Sequence, residues 1–286
     1  MSQFYINSTI GDDTVGAGTL ASPWLTIAKA YNSSAVNDTI NVAAGTYSWV
    51  NQTFSTSRIV AGAALVQGST LPTTIFDGSA GVKSWTFGET TMQVNNIMFQ
   101  NFIHTSTGDS VFIGNSLALV TMKNCVIRNG TMFDGGGSSG SGIVGKCASG
   151  NGTFYFLNGL MYNIVAGTGG SGCYFGLVGN ANWGTVIVRN STFYTSGANP
   201  CAVTNRTAAA GQLMTMKNCI FYSASSRSWH VIYNDYTYVN CSGNLSYNYT
   251  GVPITVIVAD PLFIDAANGN FNLKPNSPCI DAGTLT

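Results

Sequence analysis

Charged side chains are scarce in this sequence. Asp, Glu, Lys and Arg make up 8 % of 286 residues, against roughly a quarter in ordinary globular chains. Eleven basic and eleven acidic residues give zero formal net charge. They are scattered without a run of one sign, so the basic stripe that nucleic-acid binding requires is not in view. Long apolar runs are missing too: the longest, Ile59 to Val66, is far short of a membrane span, which argues against membrane insertion. The opening MSQFYINSTIGDD has neither a basic region nor an apolar core, so no signal peptide is visible. Seven cysteines, an odd number without a C-x-x-C pair, imply neither a disulfide framework nor a zinc site. Several N-x-[ST] triplets, at Asn7, Asn32, Asn51, Asn129 and Asn190 among others, are the chance product of a chain rich in Asn, Ser and Thr.

What the chain does have is aromatic and β-branched content. Hydrophobic residues make 45 % and aromatics 12 %, enough to build a core from short strands separated by Gly, Asn and Ser. One frame recurs in MQVNNIMF, VTMKNCVI, YFLNGLMY, VIVRNSTF, MTMKNCIF and YVNCSGNL. In each an apolar residue precedes an Asn by two places, and the Asn positions are Asn96, Asn124, Asn158, Asn190, Asn218 and Asn240. Their spacings of 28, 34, 32, 28 and 22 residues are too long for hairpin turns, and the segments lack a 3.6-residue period. A coil that returns one strand spacing higher would stack these Asn as a hydrogen-bonded ladder in a left-handed bend. Parallel crossovers are right-handed. The expectation is an all-β chain, a single right-handed parallel β-helix of about eight coils, with a short N-terminal capping helix. The helix is expected over Ser22–Tyr31, with Ser22 as N-cap and Pro23 at the first turn. One domain would fill residues 1–286: cap and first strand over 1–47, coils over 48–255 and a closing segment over 256–286. Cys125, Cys219 and Cys241 follow ladder Asn, and Cys147, Cys173 and Cys201 are each a coil apart; both sets read as stacked, buried small side chains.

The two ends carry a family resemblance. FYINSTIGDDTVGAGTLASPWLTIAKAYNSSAVNDTINVAAGTY and ADPLFIDAANGNFNLKPNSPCIDAGT resemble the N- and C-terminal signatures of the pectate-lyase-like right-handed β-helix superfamily. The resemblance implies the fold. It leaves the activity open, because that superfamily includes lyases, hydrolases, epimerases, phage tailspikes and adhesins.

Candidate chemistry is thin. Of ten Asp and one Glu, Asp12, Asp13, Asp38, Asp260, Asp265 and Asp281 read as turn or signature residues. Asp77, Asp109 and Asp134 follow one another at coil spacing and, with Arg128 or Lys146, form the one acid constellation a lyase or hydrolase would use. Their unequal offsets from the ladder favour coincidence. A second cluster, Arg227, Trp229, His230, Asp235 and Tyr236, combines rings that stack on sugars with an acid–base pair and is the glycan-binding candidate; packing of an ordinary coil is its plainer explanation. His104 reads as a loop residue. The runs 134–142 and 166–172 are corner loops, since they lack the phosphate-loop frame.

Two functions follow. The first is a non-enzymatic structural or adhesion protein, in the form of a phage tail, fibre or capsid-decoration component. It would be located on a virion or extracellularly and contact neighbouring virion or surface proteins or cell-surface glycans, with no cofactor or metal. Phage β-helices are typically homotrimers, but no heptad or trimer domain is visible here. The second is a small polysaccharide lyase or glycoside hydrolase acting on an acidic polysaccharide, for which Ca²⁺ would be the cofactor.

Overall fold

Strands of three to nine residues alternate between buried and exposed positions, and each coil repeats the pattern of the one before. The structure, a computed structural model, describes residues 1–66, 71–88, 90–104, 110–114, 117–132, 143–147, 152–166, 173–177, 185–195, 203–205, 213–228, 244–250 and 256–283. It is a right-handed parallel β-helix with three long parallel sheets. Among the described residues the first sheet has eight strands, running from Gln3–Ile6 and Thr39–Val42 through Leu119–Lys123 and Thr153–Leu157 to Leu213–Lys217. The second has nine, from Gly45–Ser48 to Val256–Val258, and the third six, from Gln52–Phe54 to Val203–Asn205.

Alternation determines which side chains enter the core. Thr185–Arg189 buries Val186 and Val188, as Leu119–Lys123 buries Val120 and Met122. In the second sheet Phe76, Phe99, Ile127, Met161, Phe193 and Phe221 form one inward column across successive coils. In the early coils large rings fill the bore: Phe99 lies 4.9–5.7 Å, centroid to centroid, from Phe112, Trp49, Trp85 and Phe76. Offset and edge-on geometries suit the quadrupoles of these rings.

The first corner is the expected ladder. Asn96, Asn124, Asn158, Asn190 and Asn218 all take φ between 50° and 57°. Each later amide donates from Nδ2 to Oδ1 of its predecessor, over 2.9, 3.4, 3.2 and 3.2 Å. Asn240 lies outside the described residues. Asn tolerates this left-handed bend because its short polar side chain bonds locally.

Cys125 and Cys219 are buried behind the ladder in one column, with Gly159 and Ser191 on the coils between them. The vacancy left by Gly159's missing side chain is taken by the Phe156 ring. Burial pushes the Cys125 thiol up to about 12, which makes it an unreactive packing group. The expected stack of Cys147 on Cys173 does not form: the register puts Cys147 opposite Leu177 and Cys173 opposite Ile143. Coil spacing alone did not fix the offset within the strand. Cys201 and Cys241 lie outside the described residues.

The capping helix exists but starts later, over Ile27–Ser33, with Thr26 as N-cap accepting from the Lys29 N–H at 3.2 Å. The Asp13 carboxylate explains the shift. It accepts from the N–H groups of Leu25 and Thr26 and from the Thr26 hydroxyl, while Trp24 bridges Ile6, so Ser22–Leu25 is held outside the helix. Ile27, Ala30 and Tyr31 then cover the open end, with Tyr31 edge-on to Phe54. At the other end of the chain the closing segment forms an antiparallel pair, Phe263–Asp265 with Asn270–Leu273, and folds back onto the outside of the second sheet. No described helix is long and apolar enough to cross a membrane.

Candidate functional site

Asp77 and Arg128 do come together, through an intermediary. Asp77, Gln100, Arg128 and Tyr162 occupy one outward column of the second sheet. Gln100 donates from Nε2 to Asp77 Oδ2 at 2.7 Å. Arg128 donates from Nε and Nη2 to Gln100 Oε1 at 2.9 and 2.7 Å, and from Nη1 to the Tyr162 hydroxyl oxygen at 2.7 Å. Asp77 also accepts from the Ser79 N–H and from Asn101 Nδ2, each at 2.7 Å. A carboxylate with both oxygens engaged in this way is a poor general base, and its arrangement is that of a structural anchor.

Asn101 opens a second amide ladder, absent from the sequence reading. Asn129 donates to Asn101 and Asn163 to Asn129, each at 3.5 Å, and all three residues have φ between 52° and 57°. The signal was present: Asn101, Asn129 and Asn163 each follow a first-ladder Asn by five residues. Amides stacked head to tail carry a net dipole whose N–H end is positive, and Asp77 sits at that end. It does for the ladder what an acidic residue does for a helix N-terminus.

Partial burial raises the Asp77 pKa, but the hydrogen bonds from Gln100, Ser79 and Asn101 and the charge of Arg128 outweigh it, so the carboxyl lies below its ordinary value. The folded-state pKa is therefore depressed. Its stabilisation is present above the unfolded value near 3.8 and disappears as pH falls through the folded value. Thermal melts from pH 7 down to pH 2 are expected to show Asp77→Asn less stable than the wild type at neutral pH, with the gap closing below about pH 4. A gap independent of pH would contradict this anchor role.

Asp109 and Asp134 lie outside the described residues, as do Trp229, His230, Asp235 and Tyr236. The backbone of Arg227 pairs with Tyr249 in the second sheet, and that of Lys146 with Ile113 in the third. His104, expected in a loop, is buried: its backbone N–H donates to Thr131 O, and Nε2 lies 2.8 Å from Lys83 O. It directly follows the strand Ile97–Ile103, and its backbone partners make it an acceptable interior group. Among the described residues no group of three His, Cys, Asp or Glu is placed to hold a metal ion.

The outer face of the first sheet brings together residues the sequence left scattered. Register places Asn95, Lys123, Leu157, Arg189 and Lys217 in one outward column, with Tyr155 in the next column, opposite Thr121. None of the eight strands contains an acidic residue. Arg189 and Lys217 are direct cross-strand neighbours, and Arg189 Nε is buried without a hydrogen-bond partner. Like charges on residues one strand spacing apart along the sheet, ~4.8 Å between backbones, are unfavourable cross-strand neighbours. The overlooked signal was adjacency: Lys123, Arg189 and Lys217 each immediately precede a ladder Asn.

Beside this line, at the corner, runs an open groove of about 340 Å³, lined in part by the ladder residues Asn124, Asn158 and Asn190. Val126, Leu160 and Thr192 line it further, with Leu65 and Phe271 also at its edges.

No protein-family profile and no curated protein sequence matches the chain. Among solved structures, a rhamnogalacturonan lyase superposes with TM-score 0.54 at 16 % identity, over 87 % of this chain and 74 % of that one. A pectin methylesterase from Aspergillus niger gives TM-score 0.39 at 11 % identity, over 91 % and 92 %. A pectate lyase gives 0.33 at 14 %, over 100 % and 92 %. The first of these likenesses carries the fold, a parallel β-helix.

Proposed function

We propose that this pectate-lyase-like β-helix binds an acidic polysaccharide laid lengthwise along the outer face of its eight-stranded sheet. The observation that carries the reading is the line of Lys123, Arg189 and Lys217 on a face whose strands hold no acid. Strand spacing sets their separations: about 10 Å from Lys123 to Arg189 and about 5 Å on to Lys217. Three positive charges over so short a track suit a polymer with sparse, regularly placed carboxylates. They are too few for the dense phosphates of a nucleic acid. Tyr155 beside the track offers a ring face for a pyranose. Such binding is an adhesive function, of the kind a virion or cell-surface component uses. The likeness to a rhamnogalacturonan lyase favours a second reading, cleavage of the same bound polymer, as an enzymatic extension of it.

Calorimetry against polygalacturonate and against its fully methyl-esterified form tests the proposal. The acidic polymer is expected to bind and the ester to bind at least tenfold more weakly, a difference of about 1.4 kcal/mol. The double variant Arg189→Gln/Lys217→Gln should lose the same factor at low salt, with the loss shrinking as salt screens the wild type. The same variant should melt slightly higher than the wild type, because the like-charge pair is gone. Equal binding of both polymers would refute the charge-based reading. Ultraviolet absorbance of unsaturated product, followed in the same mixtures with Ca²⁺, separates adhesion from lyase cleavage.

A further inference from the structure

We propose that the corner groove beside the basic line is a separate subsite for a neutral sugar, such as a branch or an uncharged unit of the bound polysaccharide. The inference rests on the preceding reading in taking a polysaccharide as the ligand, but on none of its charged residues. Its basis is hydrogen-bonding capacity that the ladder leaves unspent. An Asn amide has two N–H donors and two acceptor lone pairs. In Asn124, Asn158 and Asn190 the ladder uses one donor and one lone pair of each. The second N–H of a planar amide lies off the ladder direction, and so does the second lone pair. Asn158 and Asn190 are exposed, so a donor–acceptor pair is offered along the groove at every coil.

The walls complete the match. Val126, Leu160 and Phe271 are nearly buried against one another and reach the groove by narrow aliphatic and ring edges. A pyranose has the complementary character, with hydroxyls around its rim and C–H groups on its faces, so its rim would meet the amides and a face the apolar wall. No charged residue lines the groove, so an anionic ligand gains nothing there that a neutral one does not. All the ladder amides donate toward the N-terminal end, and that makes the floor directional. A chain of sugars would therefore seat with one polarity.

Thr192 is the residue to change, because it is half-buried, points outward from a strand and belongs to neither the ladder nor the basic line. Phe suits a strand and would fill the groove. The probes are cellotetraose, mannotetraose and galactotetraose, titrated against the whole chain while the methyl resonances of Val126 and Leu160 are followed. At least one probe should bind and shift both residues. Thr192→Phe should weaken it tenfold or more, whereas Arg189→Gln/Lys217→Gln should leave it unchanged. Thr192→Val, which conserves volume, serves as the folding control and should retain the methyl shifts. The inference is overturned if no probe moves these methyls, or if Thr192→Phe binds as well as the wild type. Either result leaves polygalacturonate binding on the basic line untouched. Failure of polygalacturonate binding alone would instead remove the basic-line reading.

Discussion

Phe99→Ala is expected to destabilise the protein by about 3–5 kcal/mol, the usual cost of removing a large ring from a packed interior. Phe99 has no exposed surface, and its ring lies among Trp49, Phe76, Trp85 and Phe112, drawn from four different strands or their edges. Those neighbours are themselves fixed by parallel strand pairing, so they have little freedom to close over the vacancy. Phe99→Leu should retain most of the packing and lose appreciably less. Denaturant titration of the two variants measures the difference. A loss below about 1 kcal/mol for Phe99→Ala would mean that the aromatic bore is loosely filled.

Asn158→Ala comes next in expected effect, at roughly 3–4 kcal/mol. About half is the loss of two ladder hydrogen bonds, to Asn124 at 3.4 Å and from Asn190 at 3.2 Å, each worth about 1 kcal/mol. The rest is conformational, since the residue sits at φ 51°, where an alanine pays about 1–2 kcal/mol. Asn158→Gly separates the two contributions, because glycine accepts the bend but restores no amide. Asn158→Asp should be destabilised at neutral pH, where a carboxylate faces the Asn124 oxygen with no proton to donate, and should recover as acid protonates it. Equal stability of the Ala and Gly variants would show that the bend carries no conformational cost.

The sequence and the structure agree where one residue type answers one local demand. The first ladder was legible because Asn in a left-handed bend recurs between alternating strands, at Asn96 through Asn218. The second ladder obeys the same physics in Asn101, Asn129 and Asn163 but covers fewer coils; Thr195 and Ser223 occupy the equivalent positions later, and the pattern is diluted. The late start of the capping helix was hidden for a different reason. Ser22 and Pro23 are good helix-starting residues, and long-range contacts override them: the reach of Asp13 to Thr26 and the bridge of Trp24 to Ile6. The basic line was invisible because composition averages over position. Lys123, Arg189 and Lys217 are 66 and 28 residues apart in the chain, and only parallel register sets them side by side. Asp77 reads in the sequence as a catalytic acid candidate, but its partners Gln100 and Asn101 belong to the next coil, beyond what local sequence reports.

The C-terminal pair of strands also changes how the protein should come apart. In a solenoid each coil touches its neighbours alone, so coils can melt one after another from an end, like units in a linear chain. Here Phe271 packs on Tyr162 and Tyr194, and Phe263 on Tyr194 and Tyr222, so one segment holds three successive coils. Those coils gain a shared fate. Fraying can take the strands Asn244–Thr250 and Val256–Val258 first, but to go further it must release the clasp, and then all three coils lose their outer packing together. The clasp thus makes a single cooperative block of an otherwise stepwise end, one that should exchange its amide hydrogens as a unit.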